Sequence, residues 1–575
     1  MNLIIKRRAF LPPFPGCEDI PLLLQRIYSS RQINHPDQLD YSLARLLPFT
    51  QLKGIDKALE LLTVALQGQQ SVLIVGDFDA DGATSTALAI KALRAFGFRN
   101  INYLVPNRFE YGYGLTPEIV EVALQFSPEL IITVDNGISS IEGVAAAQTA
   151  GVKVLITDHH LAGNELPQAE AIVNPNQPGD SFASKSLAGV GVMFYVLMAL
   201  RTHLREINWF KASRIKEPNL AQWLDLVALG TVADVVPLDH NNRILVAQGL
   251  ARIQAGQACM GIQALAGIAG RDLAQLSSSD IGFFIGPRLN AAGRLEDMSL
   301  GIECLLTEDR AEARKLAQQL DSLNQERRVI EQDMKQQALA MLELMQFDDE
   351  ALPVGLCLFE PDWHEGIVGI LASRIKDRLH RPVIAFARTA AGQIKGSARS
   401  VKGLHIRDVL DAVATRQPHL LHRFGGHAMA AGLTLAEENY PVFEQAFDEE
   451  VRRHLSAERL QGVLESDGEL MEEEFSLEMA LNLRQAGPWG QAFEEPLFDG
   501  VFELLERRIV AEKHLKMRLK HADVNTPFDA IAFNITDEHW GGHVQKVKMA
   551  YKLDVNEYRG ERSLQCIVHY LEPLS

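Results

Sequence analysis

Between residues 50 and 240, short apolar runs alternate with longer stretches of mixed polarity. The runs 72–75, 101–105, 130–134, 153–157 and 171–173 are dominated by Val, Ile and Leu and predict buried strands. Helical periodicity occupies 84–96, 117–125 and 141–149 between them. This alternation predicts an α/β domain with a parallel, doubly wound sheet. A further apolar run, 226–233, ends at Asp234 and also reads as a strand. Residues 240–300 read as mainly helical, with a loop expected at 286–294, where Gly286, Pro287 and Gly293 cluster.

From Ile302 to Leu352 there is neither Gly nor Pro. Positions 316, 320, 323, 327, 330, 334, 337 and 341 keep a 4-3 spacing and are mostly Leu, Ile or Met, interrupted by Arg327 and Gln337. This predicts one long amphipathic helix linking two domains. A second, smaller α/β unit follows, with strand 354–359, helix 366–379 and strand 383–387. From about 497 the pattern is all-β, with strands at 501–510, 513–519, 528–534, 543–554 and 563–571 and a turn at Arg559-Gly560-Glu561-Arg562. Five short strands suit a small OB-like barrel. The expected division is an N-terminal extension over 1–45, a main α/β domain over 46–300, the connecting helix over 301–349, the second α/β domain over 350–455 and the barrel domain over 456–575.

Composition adds little to this picture: 47% hydrophobic and 23% charged residues describe an ordinary globular protein. No apolar stretch reaches the ~20 residues that span a bilayer. The five cysteines are scattered, odd in number and without a CxxC pair. They argue against a disulfide frame or a zinc ribbon, and for a reducing, cytoplasmic setting. Charge is more informative. The net charge is −18, yet it is unevenly spread. Residues 437–478 hold 14 acidic and 3 basic side chains, whereas 371–402 hold 8 basic ones against Asp377 alone. Local potential, rather than the total, governs phosphate binding.

The chemistry collects where apolar runs end. Asp77, Asp79 and Asp81 follow the first strand, Asp135 the third, Asp158-His159-His160 the fourth, and Asp234 closes 226–233. In open parallel sheets, ligands sit at the carboxyl ends of the strands, so these groups should converge. Carboxylates held close repel unless a cation neutralises them. Oxygen and imidazole ligands without thiolates favour Mn²⁺ or Mg²⁺. Two such ions ~3.5–4 Å apart can hold a phosphate and activate water. An Asp-rich turn with helix caps would be the plainer reading, but it does not account for four clusters. The segment 77–84 also fits an aspartyl-phosphate phosphatase turn with Asp77 as nucleophile, a chemistry with no need of His159 and His160. There is no GxxxxGK segment, no GxGxxG after a strand and no GxSxG elbow.

Asp158-His159-His160 resembles the name-giving triplet of the DHH phosphoesterase superfamily. Asp77 to Gly82, Val134 to Gly137 and Ala233-Asp234 resemble its other three motifs, in order, and Gly425-Gly426-His427 resembles the hallmark of its associated second domain. Pro106 to Phe109, Ser186 to Gly191, 286–294 and Trp363 to Gly366 extend the likeness over nearly the whole chain, toward the superfamily's single-strand-specific exonucleases. The resemblance implies 5′→3′ degradation of single-stranded DNA to 5′-mononucleotides with two divalent ions, Mn²⁺ or Mg²⁺. It implies a metal shell of Asp77, Asp79, Asp81, Asp135, His159 and Asp234, with Asp135 bridging the ions and Asp77 alternatively standing behind the shell. His160 would face the scissile phosphate and Asp158 would orient a histidine. Arg108, Ser397 and Arg399 would hold the 5′-terminal phosphate, and Gly425, Gly426 and His427 would touch the strand. Arg288, Asn290 and Arg294 would follow its backbone. Phe109, Tyr111, Tyr113, Trp363 and Phe424 are the candidate stacking platforms. The two α/β lobes would form a cleft too narrow for duplex. Recombination, gap repair and mismatch repair are the implied roles, for a monomer working with a helicase and a single-strand-binding protein and without a membrane. Two alternatives stand beside this: a phosphodiesterase for short oligonucleotides or cyclic dinucleotides, and a non-catalytic DNA-binding scaffold.

Overall fold

A computed structural model describes residues 3–107, 111, 113–344, 353–389, 392–455, 460–521, 527–537, 540, 544–558 and 561–574. The chain forms two compact units. One comprises Ile5–Asp321 with Glu465–Ser575, and the other is built on Ser322–Leu464.

The first unit is organised by β1 (Val72–Val75), α1 (Ala80–Phe96), β2 (Ile101–Leu104), α2 (Pro117–Leu124), β3 (Leu130–Val134), α3 (Ile141–Thr149), β4 (Lys153–Thr157) and β5 (Ala171–Val173). Every neighbouring pair is parallel, in the order β2-β1-β3-β4-β5. The central strands β1 and β3 are buried along their whole length, as expected for a parallel sheet covered on both faces. Helix α1 begins where Asp79, in extended conformation, accepts the N–H groups of Asp81 and Gly82, and it ends at the left-handed Gly97. It packs against α4 (Gly189–Glu206) and α5 (Leu224–Ala233).

Two sequence expectations are corrected in this unit. The run 226–233 is not a strand but lies within helix α5. Leu224 to Thr231 are all buried, so the helix is apolar on every side and shows neither a 3.6 nor a 2.0 period. The expected loop at 286–294 is helix α6 (Gly286–Leu295). Pro287 sits in its first turn, where a missing N–H costs nothing. The N-terminal extension is also more than an appendage. It carries a helix, Leu22–Ser30, and the buried Arg31 pairs with the buried Asp467 at 2.8 Å. Arg7 grips Asp499 through Nε and Nη2.

Helix α7 (Arg310–Leu344) is the long connecting helix, and the boundary between the two units falls within it. The second unit adds β6 (Leu356–Phe359), α8 (Val368–Leu379), β7 (Val383–Arg388), β8 (Gln393–Arg399), β9 (Arg423–Gly426) and β10 (Ala430–Ala436). Their sheet runs β9-β10-β8-β7-β6, parallel only between β6 and β7. The polar interruptions of the helical stripe are anchors. Arg327 pairs with Glu331 at 2.6 Å, Glu331 pairs with Arg374 at 2.8 Å, and Gln337 accepts the indole N–H of Trp363 at 2.7 Å.

The C-terminal domain, back in the first unit, is a closed barrel of β11 (Phe498–Val510), β12 (His514–Lys520), β13 (Phe528–Ala532), β14 (Lys546–Tyr558) and β15 (Glu561–Leu574). All pairs are antiparallel except β13 with β15. The expected turn at Arg559-Gly560 lies outside the described residues. Among the described residues no helix is long and apolar enough to cross a membrane.

Candidate metal centre

Three strand ends and one helix end supply the centre. Asp77 follows β1, Asp135 follows β3, Asp158, His159 and His160 follow β4, and Asp234 caps α5. Three groups each bring their ligand atoms within 4.8 Å of one another: Asp77, Asp79 and Asp135; Asp135, His159 and His160; and Asp81, His159 and Asp234. Asp135 and His159 are each shared by two groups. His159 Nε2 lies 3.1 Å from Asp135 Oδ1 and 3.5 Å from Asp234 Oδ2.

The backbone is forced to make this convergence. Asp135 is left-handed at φ 63, and Val235, just after Asp234, is left-handed at φ 60. Such conformations cost energy and persist where the surrounding structure over-determines them. Two glycines allow the close approach. A Cβ on Gly189 would lie 2.6 Å from Asp135 Oδ1, and one on Gly230 would lie 2.7 Å from Asp81 Oδ1. Asp81 itself accepts the first N–H groups of α4, Gly189 at 2.6 Å and Val190 at 3.0 Å.

Electrostatics divides the acids into two kinds. Burial, then the charge of Asp79, pushes the Asp81 carboxyl up to about 7. Burial, then the neighbouring Asp81 and Asp79, drives Asp135 and Asp234 well above the usual carboxylate range. These groups become stable anions only against a cation, and a set of carboxylates and imidazoles without thiolate fits Mn²⁺ or Mg²⁺. Asp158 behaves differently. Burial, the largest single influence, would raise it, but the bond and charge of His160, the charge of His159 and the Ile138 N–H together hold it at about 2. Its Oδ1 takes the N–H of His159, the N–H of His160 and the His160 ring at 2.7 Å, while Oδ2 takes Ile138 N–H. Burial works against protonation of His160, but the bond and charge of Asp158 lift it to about 9. The bond to Asp158 therefore favours the imidazolium form of His160.

Several partners of this centre were not assigned to it from the sequence; Tyr113 was expected as a stacking platform, but its hydroxyl is turned to the centre. Tyr113 Oη lies 3.1 Å from His160 Nδ1 and 3.3 Å from the Asp135 carbonyl. Asn174 and Asn176, just past β5, donate to the His160 and His159 carbonyls. Asn136 donates to Val75 O and Val134 O, joining the ends of β1 and β3. Polar residues past a parallel strand end were the available signal for all but Tyr113.

The expected strand contacts fare unevenly. Arg288 is not presented to solvent; it is buried, bonded to Asp321 at 2.8 Å and to Phe284 O at 2.6 Å. Asn290 Oδ1 accepts Ala80 N–H at 2.8 Å and so braces the start of α1. Arg294 is half-buried at the end of α6. Arg108 and Phe109 lie outside the described residues. Tyr111 and Phe424 pack against hydrophobic cores, and Trp363 is buried.

In the second unit, Arg399 Nη1 donates to Ser397 Oγ at 3.0 Å and to Ala398 O at 2.8 Å. Both side chains close on the N-terminal turn of α8: a Cβ on Gly369 would lie 2.8 Å from Arg399 Nη2 and 2.9 Å from Ser397 Oγ. Ser397 pairs across the sheet with Gly432, and Gly432 with Gly425. His427 N–H closes the β9–β10 hairpin on Ala430 O at 2.7 Å, beside Gly426.

The chain matches the DHH family, N-terminal domain, over residues 71–231, the DHHA1 domain over 352–453 and the RecJ OB domain over 466–570. The single-stranded-DNA-specific exonuclease RecJ of Salmonella typhimurium is 55% identical over 557 residues, covering 97% of this chain and 96% of the relative. The Escherichia coli protein of that name is 53% identical, with the same shares. Among solved structures, RecJ from Thermus thermophilus in complex with Mn²⁺ superposes with a TM-score of 0.81 at 30% identity, covering 100% of this chain and 80% of that one.

Proposed function

The chain belongs to the RecJ family of single-stranded-DNA-specific exonucleases, and from that premise we propose how its residues divide the work. The sharing of Asp135 between two ligand groups carries the reading, because one carboxylate that reaches both can serve two cations. Asp77, Asp79, Asp81, Asp135, His159 and Asp234 would hold Mn²⁺ or Mg²⁺. When bound, such a pair supplies charge neutralisation at the phosphate and lowers the pKa of water. His160, kept cationic and oriented by Asp158, donates to a non-bridging oxygen of the scissile phosphate and stabilises charge as it develops. Asp158, with every oxygen already engaged, positions rather than ligates.

Direction is proposed to come from the second unit. Ser397, Arg399 and the first turn of α8 offer a hydroxyl, a guanidinium and a helix N-terminus to a 5′-terminal phosphate. Arg108 would join them. Gly425, Gly426 and His427 give the strand a surface with little side chain. Arg294 would follow its backbone. The barrel adds a basic hairpin: 501–520 carries Arg507, Arg508, Lys513, Lys516, Arg518 and Lys520 against Glu503, Glu506 and Glu512. An OB domain has no use in cleaving very short substrates, so the dinucleotide reading recedes. The residue boundaries proposed for the domains are 46–300, 301–349, 350–455 and 456–575, after the N-terminal 1–45. The proposed setting is recombination, gap repair and mismatch repair in the cytoplasm, by a monomer working beside a helicase and a single-strand-binding protein.

The test uses Mn²⁺ with one strand labelled at its 5′ end, one labelled at its 3′ end, and a blunt duplex. Immediate release of labelled mononucleotide from the 5′ label, a shortening ladder from the 3′ label and an intact duplex are expected. Release of mononucleotide first from the 3′ label would reverse the proposed polarity.

A further inference from the structure

Phe283 is 72% exposed, the most exposed aromatic ring among the described residues. It lies in Ile281–Ile285, a turn of π spacing between the capped Ser278–Asp280 and α6. Wide turns of this kind recur at functional sites. The neighbouring ring, Phe284, instead lies under the Arg271 guanidinium, 3.5 Å from its centroid. The turn rests on the last turn of α5: a Cβ on Gly282 would meet Val232 at 3.5 Å, and one on Gly286 would meet Ala233 at 3.2 Å. The next residue is Asp234 of the metal centre, followed by Val235, which is strained at φ 60 and 62% exposed. Arg288 holds the turn in place through Phe284 O and Asp321.

A single exposed apolar residue needs no explanation. Here two stand on adjoining segments that border the centre, one strained and the other braced by a buried arginine. We propose that Phe283 is a stacking platform for an unpaired base of the strand under digestion, with Val235 as its apolar neighbour. A benzyl ring has no hydrogen-bonding group, so it accepts every base in turn, as an enzyme that removes nucleotides without regard to sequence requires. It also needs a bare base face, which stacked duplex denies, so the same contact favours single strands. This rests on the single-strand exonuclease reading above.

The experiment measures binding of the full-length protein to a fluorescent single strand by anisotropy, with chelator present so that nothing is cut. Phe283→Ala should raise Kd about tenfold, within the range for loss of one base–aromatic stack. Phe283→Trp should restore the parent value and Phe283→Leu should not. One abasic nucleotide, moved along the strand, should weaken the parent at one position and leave Phe283→Ala unaffected there. Equal Kd for parent and Phe283→Ala, or abasic losses identical in both at every position, would overturn the platform. Digestion of the same strand by the parent with Mn²⁺ is run alongside. If the parent does not cut, the exonuclease reading itself fails; if it cuts and the Kd values agree, only the platform fails.

Discussion

Asp135 sits buried and left-handed among four other aspartates, so its charge exists at the expense of the fold unless a cation is bound. Asp135→Ala should lower Mn²⁺-dependent hydrolysis by about a thousandfold or more with the circular dichroism unchanged; substantial remaining activity would reject its shared role. The same crowding sets a pH dependence. Asp81, Asp135 and Asp234 bind protons more tightly folded than unfolded, so at this centre the metal-free protein holds more protons than its unfolded chain, against the smaller opposite effect of the lowered His569. Its stability must therefore fall as pH rises from the usual carboxylate range through about 7, where Asp81 loses its proton. Melting in chelator between pH 5 and 8 should show a falling Tm, and Mn²⁺ should abolish the fall; a Tm that rises with pH in chelator would contradict the electrostatics. Arg399→Ala should weaken discrimination between phosphorylated and hydroxyl 5′ ends, read as a ratio of kcat/KM, and an unchanged ratio would remove Arg399 from end recognition. The convergent residues were legible in the sequence because each one ends an apolar run. The partners of Tyr113 and Arg288 were not, although both residues were expected to touch the strand. A tyrosine in a polar loop has no periodicity to betray its target, and an arginine between glycines gives no hint that Asp321 and a carbonyl will bury it.

At the scale of elements, strands read well and buried helices read poorly. The five strands of the main sheet lie within a residue of expectation, since uniform burial leaves compact Val- and Ile-rich runs. Helix α5 defeats the same logic, because its burial is uniform too. Its Gly230 yields a prediction with opposing terms. Gly230→Ala gains about 1 kcal/mol of helix propensity, yet it places a methyl carbon 2.7 Å from Asp81 Oδ1 and 2.3 Å from Thr84 Oγ1. Weaker Mn²⁺ binding by calorimetry is expected; parent-like affinity would mean that the centre can give way there. Along α7 the interrupted stripe was visible, but the partners of Glu331 and Gln337 were not, because Arg374 and Trp363 come from later in the chain. Glu331→Ala leaves the buried Arg327 without its counter-charge and should destabilise the second unit by about 3 kcal/mol, measured by urea unfolding; a change below about 0.5 kcal/mol would show that the pair contributes little.

For the molecule as a whole, the order of the domains and the presence of a barrel could be read from pattern, but not the barrel's closure through a parallel β13–β15 pair, nor the role of the first forty-five residues. A net charge of −18 suggested poor binding of nucleic acid, and only its uneven distribution corrected that impression. Affinity for single strands should accordingly fall steeply with salt despite the acidic total; a flat dependence between 50 and 200 mM would argue against phosphate contacts by the basic segments. The ion pairs of the N-terminal segment bear on how the protein is made. Arg31 meets Asp467 across 436 positions of sequence, and Arg7 meets Asp499 across 492. At ~5–20 residues per second, Arg7 waits on the order of a minute for its counter-charge. Every candidate ligand of the metal centre has been synthesised long before that. A nascent chain thus holds every candidate ligand while Arg7 and Arg31 still lack these partners, and a translation product cut short before residue 467 should be cleaved by protease within residues 5–31 where the finished protein resists.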